Sequence, residues 1–237
     1  MNDAVAVIAA HPDDEVLGCG GTIARLARDG RLVHILLIAD GVSSRGDSDV
    51  AEAVREDLAV RNEAAERACK ILGCQSVQLL GLPDNRLDSL DLLHVVKVVE
   101  DFIQKHKPST VFTHHSGDVN IDHRVVHDAV IAACRPVPGH FVNELLFFEV
   151  PSSTEWRPPG SGQVFDPNWF FDVADVLDVK LKALEAYRDE MRAFPHPRSL
   201  VAVEALARWR GASAGFDAAE AFILGRKLIR AGENDAN

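Results

Sequence analysis

The sequence predicts a Rossmann-like α/β fold: a mostly parallel sheet with helices on both faces and a helical C-terminal segment. Two observations carry that reading. Short apolar runs alternate with longer amphipathic stretches through most of the chain, as strands alternating with crossover helices do. The two densest polar clusters each follow directly on an apolar run, where parallel sheets place their sites.

Residues 4–10 form a nearly continuous apolar run, read as a strand buried on both faces. After a short polar loop, Gly18 to Gly21 opens a helix with Ile23, Leu26 and Ala27 on its apolar face, ending near Gly30. Residues 32–39 read as a strand, 53–72 as a helix stopped by Gly73, and 77–80 as a strand. An amphipathic helix over 90–106 is stopped by Pro108. Strand 110–113, helix 124–134 and strand 144–150 follow. The Pro-, Gly- and Ser-rich stretch 151–167 reads as a long surface loop, then 169–173 as a last strand and 176–191, 200–210 and 217–230 as helices.

The length of 237 residues suits one domain, taken as 1–231, with 232–237 as a frayed tail. The formal charge of −11 argues against a nucleic-acid partner and against an anionic membrane surface. No apolar run reaches the ~20 residues of a transmembrane segment, and Met1-Asn2-Asp3 leads into the first strand without a basic stretch. Cys19, Cys69, Cys74 and Cys134 lack paired spacing and read as free thiols in a reducing, cytoplasmic setting, not as metal ligands.

The first cluster is His11-Pro12-Asp13-Asp14-Glu15. Three carboxylates and an imidazole within five residues repel unless a counter-ion joins them, and imidazole with carboxylate suits zinc. The alternative is a solvated acidic turn with Asp13 or Asp14 capping the next helix. Gly18-Cys19-Gly20-Gly21 lacks the full dinucleotide fingerprint, and its glycines read as permitting close helix–strand packing.

The second cluster runs from His114-His115 through Asp118 and Asn120 to Asp122-His123-Arg124, with His127 one helical turn on. Three of the ten histidines fall within 114–123. A catalytic zinc takes three protein ligands and keeps a position open for water. His11 and one acid of the first loop leave a single ligand to find, and this loop offers several. His127 reads as lying on the solvent face of its helix.

Together these motifs resemble the PIG-L (LmbE-like) family of zinc-dependent N-deacetylases, whose Ala-His-Pro-Asp-Asp-Glu signature stands here at Ala10 to Glu15 and whose Asp-His pair stands at Asp122-His123. Arg61 twelve residues before Gly73, Leu82-Pro83-Asp84 and Ala219-Glu220-Ala221-Phe222 extend the likeness over nearly the whole chain. The resemblance implies that His11, Asp14 and His123 bind Zn2+ and that Asp13 is the general base, a division that spacing alone leaves open. It implies an N-acetylated sugar or glycoconjugate as substrate and is compatible with a homo-oligomer. One departure is Asn120, where many members carry a histidine that supports the oxyanion. His196 in Pro195-His196-Pro197 is the candidate replacement, against a surface histidine in a turn. Arg61, Asp84 and Arg198 are candidate substrate-binding residues; a solvated helix arginine and ordinary turn chemistry are the alternatives for the first two, and a helix cap at Ser199 explains that serine but not Arg198. A two-metal phosphoesterase would need more bridging carboxylates, and a non-catalytic sugar-binding module would be expected to lose Asp13 or a ligand.

Overall fold

Seven strands form one sheet in the order β3-β2-β1-β4-β5-β7-β6 in a computed structural model that describes residues 4–44 and 51–229. The strands are β1 (Ala4–Ala9), β2 (Leu32–Ala39), β3 (Ser76–Leu82), β4 (Thr110–His114), β5 (Glu144–Phe148), β6 (Trp169–Asp172) and β7 (Ala219–Lys227). The helices are α1 (Asp14–Arg28), α2 (Ala51–Leu72), α3 (Leu92–His106), α4 (Ile121–Ala133), α5 (Leu177–Glu185) and α6 (Leu200–Ala214), with a 3-10 turn at Leu87–Ser89. The expected frayed tail lies outside the described residues. Among these residues, no helix is long and apolar enough to cross a membrane.

The sheet is mostly parallel, as its apolar runs predict: β1 pairs with β2 and β4, β2 with β3, and β4 with β5 in parallel. Strand β1 divides its side chains between two cores. Val5, Val7 and Ala9 belong to the core that α1, α2, α5 and α6 help to build, whereas Ala6 and Ile8 belong to the core with α3 and α4. The order runs outward from β1 to β3 on one side and from β4 to β5 on the other. The crevice between β1 and β4 therefore opens at their C-terminal ends, which carry His11 and the 114–123 loop.

The C-terminal segment departs from expectation. Residues 217–230 read as a helix because alanine, leucine and charged residues favour one locally, but Ala219–Lys227 is a strand. It inserts antiparallel between β5 and β6, and burial of Ala219, Ala221 and Phe222 outweighs helix propensity. Phe222 meets Phe112 edge-on at 5.1 Å between ring centroids.

Helix α1 also starts earlier than expected, at Asp14, and breaks at Cys19, whose φ of −148° is non-helical. The break has partners. Glu220 of β7 accepts from the backbone N–H groups of Gly21 (2.9 Å) and Thr22 (2.6 Å), capping the second half of the helix. Lys180 of α5 donates to Leu17 O, the end of the first half, and pairs with Glu220 at 2.6 Å. Gly18 sits here because a Cβ would stand 2.4 Å from the Phe148 ring, so the glycines do serve close helix–strand packing.

Candidate active site

The two clusters meet across the crevice. Asp14, in the first turn of α1, turns Oδ2 towards His11 Nδ1 and His123 Nε2, each 3.2 Å away. Ligands about 2.0–2.1 Å from a tetrahedral zinc stand roughly 3.3 Å apart, so this spacing fits one ion. His11, Asp14 and His123 are all buried and together form a group able to hold a metal. Both ring nitrogens of His123 and Asp14 Oδ1 are buried without an aligned hydrogen bond, so the cluster holds polar atoms that a bound ion would satisfy.

The far nitrogens carry carboxylates. His11 Nε2 lies 3.1 Å from Asp122 Oδ2 and 3.0 Å from Asp84 Oδ1, and His123 Nδ1 lies 3.1 Å from Asp118 Oδ2. A carboxylate behind a ligating imidazole fixes its tautomer and orientation and raises its basicity. These carboxylates are themselves held. Asp122 accepts from Asn85 N (2.7 Å) and Leu87 N (3.0 Å), and Asp118 accepts from Thr154 Oγ1 (2.7 Å) and Ser153 Oγ. His114 stacks on His123 at 3.9 Å, and its Nε2 accepts the Ala10 N–H.

The electrostatics follow. Burial works against a charged His123, but Asp14 and Asp118 outweigh it and raise its pKa to about 9. Burial likewise opposes charge on His11, and hydrogen bonds to Asp122, Asp14 and Asp84 raise it well above an ordinary imidazole. The cluster draws positive charge to this point, and a metal arriving there displaces protons.

Asp13 stands beside this set in a strained conformation. Its φ is +117°, a region L-residues rarely adopt and whose cost of ~1–3 kcal/mol is typically met at functional sites. It occupies the N-cap position without a side-chain cap hydrogen bond, and the Asp14 carboxylate faces the two histidines, so the acidic-turn alternative fails. Arg198 Nη1 donates to Asp13 Oδ2 at 2.8 Å, and Oδ1 is buried without a hydrogen-bond partner. Burial raises the Asp13 pKa, with the Arg198 charge working the other way. Glu15 behind it accepts from Tyr187 OH at 2.6 Å, and burial raises its pKa to about 7.

The residue 6–134 segment matches the PIG-L family, described as GlcNAc-PI de-N-acetylase. The chain belongs to the PIG-L family. It is 34% identical over 190 residues to the uncharacterized deacetylase YaiS of Escherichia coli, covering 78% of this chain and 90% of that protein. It is 29% identical to a probable N-acetyl-alpha-D-glucosaminyl L-malate deacetylase 2 of Bacillus cereus, over 81% of this chain and 86% of the relative. The N,N'-diacetylchitobiose deacetylase of Pyrococcus horikoshii shares the fold, with a TM-score of 0.75 at 21% identity over 94% of this chain and 84% of that one.

Within this PIG-L fold the other expected site residues divide. Arg61 is buried, not solvated: it pairs with Glu190 at 2.5 Å, donates to Gly41 O at 3.1 Å and lines a cavity of about 250 Å³ with Val42, Tyr187 and Glu190. Asp84 backs His11 and accepts from Ser44. Asn120 is the N-cap of α4: its carbonyl oxygen accepts from Asp122 N and His123 N, while its amide nitrogen donates to Asn85 Oδ1 at 3.2 Å. His196 meets the Trp156 ring edge-on and accepts the Arg198 N–H on Nδ1 at 3.1 Å. His127 is buried, contrary to the solvent-face expectation, because its ring nitrogen bonds His114 O at 2.8 Å.

Sequence reasoning did not single out Asp118, Asp122 or His114 for the work they do. The available signal was the excess of acids over ligand positions around His123, since each ligating imidazole calls for a carboxylate behind it.

Proposed function

We propose that this protein is a zinc-dependent hydrolase that removes the N-acetyl group of an amino sugar, releasing acetate and a free amine. The observation that carries it is the pair of carboxylate-backed histidines whose near nitrogens converge on Asp14, with Asp13 alongside. In this reading His11, Asp14 and His123 hold the ion. When bound, zinc lowers the pKa of a coordinated water from 15.7 towards about 7 and polarises the amide carbonyl.

The remaining chemistry belongs to the chain. Arg198 fixes Asp13 Oδ2 and offsets the cost of burying its charge, leaving Oδ1 to take the proton of the attacking water. The proton on Asp13 then passes to the leaving nitrogen as the C–N bond breaks. Tyr187 and Glu15 brace the strained turn from behind, Glu15 accepting the Asp13 N–H at 3.0 Å. Arg61 beside its cavity is assigned to substrate binding, whereas Asp84 acts by orienting His11. Asn120 caps α4 through its carbonyl oxygen and gives one amide hydrogen to Asn85, which leaves its second amide hydrogen to meet an oxyanion, whereas His196 is turned towards Trp156.

A screen of free, glycosidic, lipid-linked and nucleotide-linked N-acetyl sugars, read by release of primary amine, tests the proposal. Turnover of at least one class with equimolar acetate supports it. Amine release from none of the four, by protein carrying its metal, overturns it.

A further inference from the structure

The 149–168 segment is irregular, yet its middle is pinned residue by residue to the site. Ser152 Oγ accepts from Arg198 Nε at 2.8 Å, and Ser153 and Thr154 donate to Asp118, the carboxylate behind His123. Thr154 Oγ1 also accepts the Val150 N–H at 2.8 Å, closing the turn. Two residues later Trp156 stands 52% exposed, although an indole of this size gains most by burial. It is nonetheless held: the His196 ring meets it edge-on, with centroids 5.8 Å apart and planes at 79°.

His196 is oriented in turn. Its Nδ1 accepts the backbone N–H of Arg198, so in the neutral ring the proton sits on Nε2, the nitrogen away from that bond. Asp13, Arg198, His196 and Trp156 thus form a continuous line from the buried carboxylate to solvent. The length of the Arg198 side chain separates Asp13 from the loop backbone that carries His196, so the indole lies further out than the group undergoing hydrolysis.

We propose that Trp156 and His196 form an outer sugar subsite, which takes the pyranose ring next to the one bearing the acetamido group. The chemistry favours a sugar over a purely apolar group. An aromatic face carries negative charge density, so it attracts the weakly positive C–H bonds of a pyranose face. The His196 Nε2–H beside it supplies a donor for a ring hydroxyl. The contact between the two rings already limits their rotamers, which reduces the freedom lost on binding. The proposal rests on the deacetylase reading above and makes the enzyme selective for glycosides over a free amino sugar.

The test compares kcat/KM for N,N'-diacetylchitobiose and for N-acetylglucosamine in the metal-loaded wild type, Trp156→Ala, Trp156→Phe and His196→Ala. The wild type should favour the disaccharide. Trp156→Ala should lower the disaccharide-to-monosaccharide ratio about tenfold, mainly through KM, and Trp156→Phe should restore most of it. His196→Ala should lower the same ratio several-fold with kcat retained. Calorimetric binding of the disaccharide to Asp13→Asn protein, with and without Trp156→Ala, should show the same loss without turnover. A ratio unchanged in Trp156→Ala overturns the outer subsite while leaving the deacetylase reading intact. A hundredfold fall in kcat in His196→Ala returns that residue to the reacting group and overturns its place in the subsite. A wild type that releases acetate from neither sugar, yet binds the disaccharide in a Trp156-dependent way, overturns the deacetylase reading for these sugars and keeps the subsite.

Discussion

Arg198 and Asp13, 185 residues apart in sequence, are joined by a 2.8 Å bond between Nη1 and Oδ2. That contact orients the buried carboxylate, and its positive charge works against the burial that raises the Asp13 pKa. Arg198→Met removes both effects while retaining an unbranched stem, so kcat should fall at least tenfold with metal content unchanged. Wild-type turnover in this variant would make the contact incidental.

The proposed mechanism gives the proton transfer to Asp13. Asp13→Asn keeps the shape of the side chain and removes the basic oxygen, and general-base catalysis contributes ~10²–10⁴-fold. Steady-state rates on metal-loaded protein should fall within that range. Loss of metal from Asp13→Asn, measured by atomic absorption, would put Asp13 among the ligands.

The carboxylates behind the histidines should affect metal affinity more gently than the ligands do. His123→Ala should lose most of the bound zinc. Asp118→Asn, which leaves His123 in place but weakens its backing, should lower affinity ~10–100-fold in a competition titration with a chelator. Equal loss in both variants would contradict the distinction between a ligand and its support.

Much of this site was legible because its chemistry is local. His11 to Glu15 are consecutive, and Asp122-His123 mark the start of α4, so one strand end and one helix start disclose both halves. The parallel sheet was equally legible from apolar runs. What could not be read depends on distant partners. The 217–230 segment has helical composition and becomes a strand only because β5 and β6 flank it. Arg198 and Trp156 owe their placement to contacts with Asp13 and His196, 185 and 40 residues away in sequence, which no local pattern encodes.

That same strand supplies a test of stability. Glu220 and Lys180 are both buried, and Glu220 also caps the break in α1. Glu220→Ala leaves the Lys180 charge and two N–H groups uncompensated, and breaking a buried pair typically costs ~3–5 kcal/mol. Urea unfolding should show a loss of that order, and a change below about 1 kcal/mol would mean that the break is held by other contacts.

A pH effect arises away from the site. His34 on β2 and His106 at the end of α3 lie 3.9 Å apart between ring centroids, with their planes tilted by 32°. Burial lowers both pKa values, with the Lys105 charge adding to the effect, and His106 falls to about 4, aided by His34. An unfolded histidine titrates near ~6.5. Both groups therefore contribute stability that is complete above about pH 6.5 and is lost as pH falls towards 4. His106→Gln should flatten that part of the stability profile relative to wild type. Parallel profiles for the two proteins between pH 6.5 and 4 would remove the pair from the account.

The central claim is that a bound cation at His11, Asp14 and His123 drives N-deacetylation of an amino sugar. The most direct measurement is acetate release from an N-acetyl sugar substrate by protein stripped with a chelator and dialysed, before and after addition of one equivalent of zinc. The account predicts negligible acetate from the stripped protein and recovery with zinc in wild type but not in His123→Ala. Undiminished acetate release from metal-free wild-type protein would contradict it.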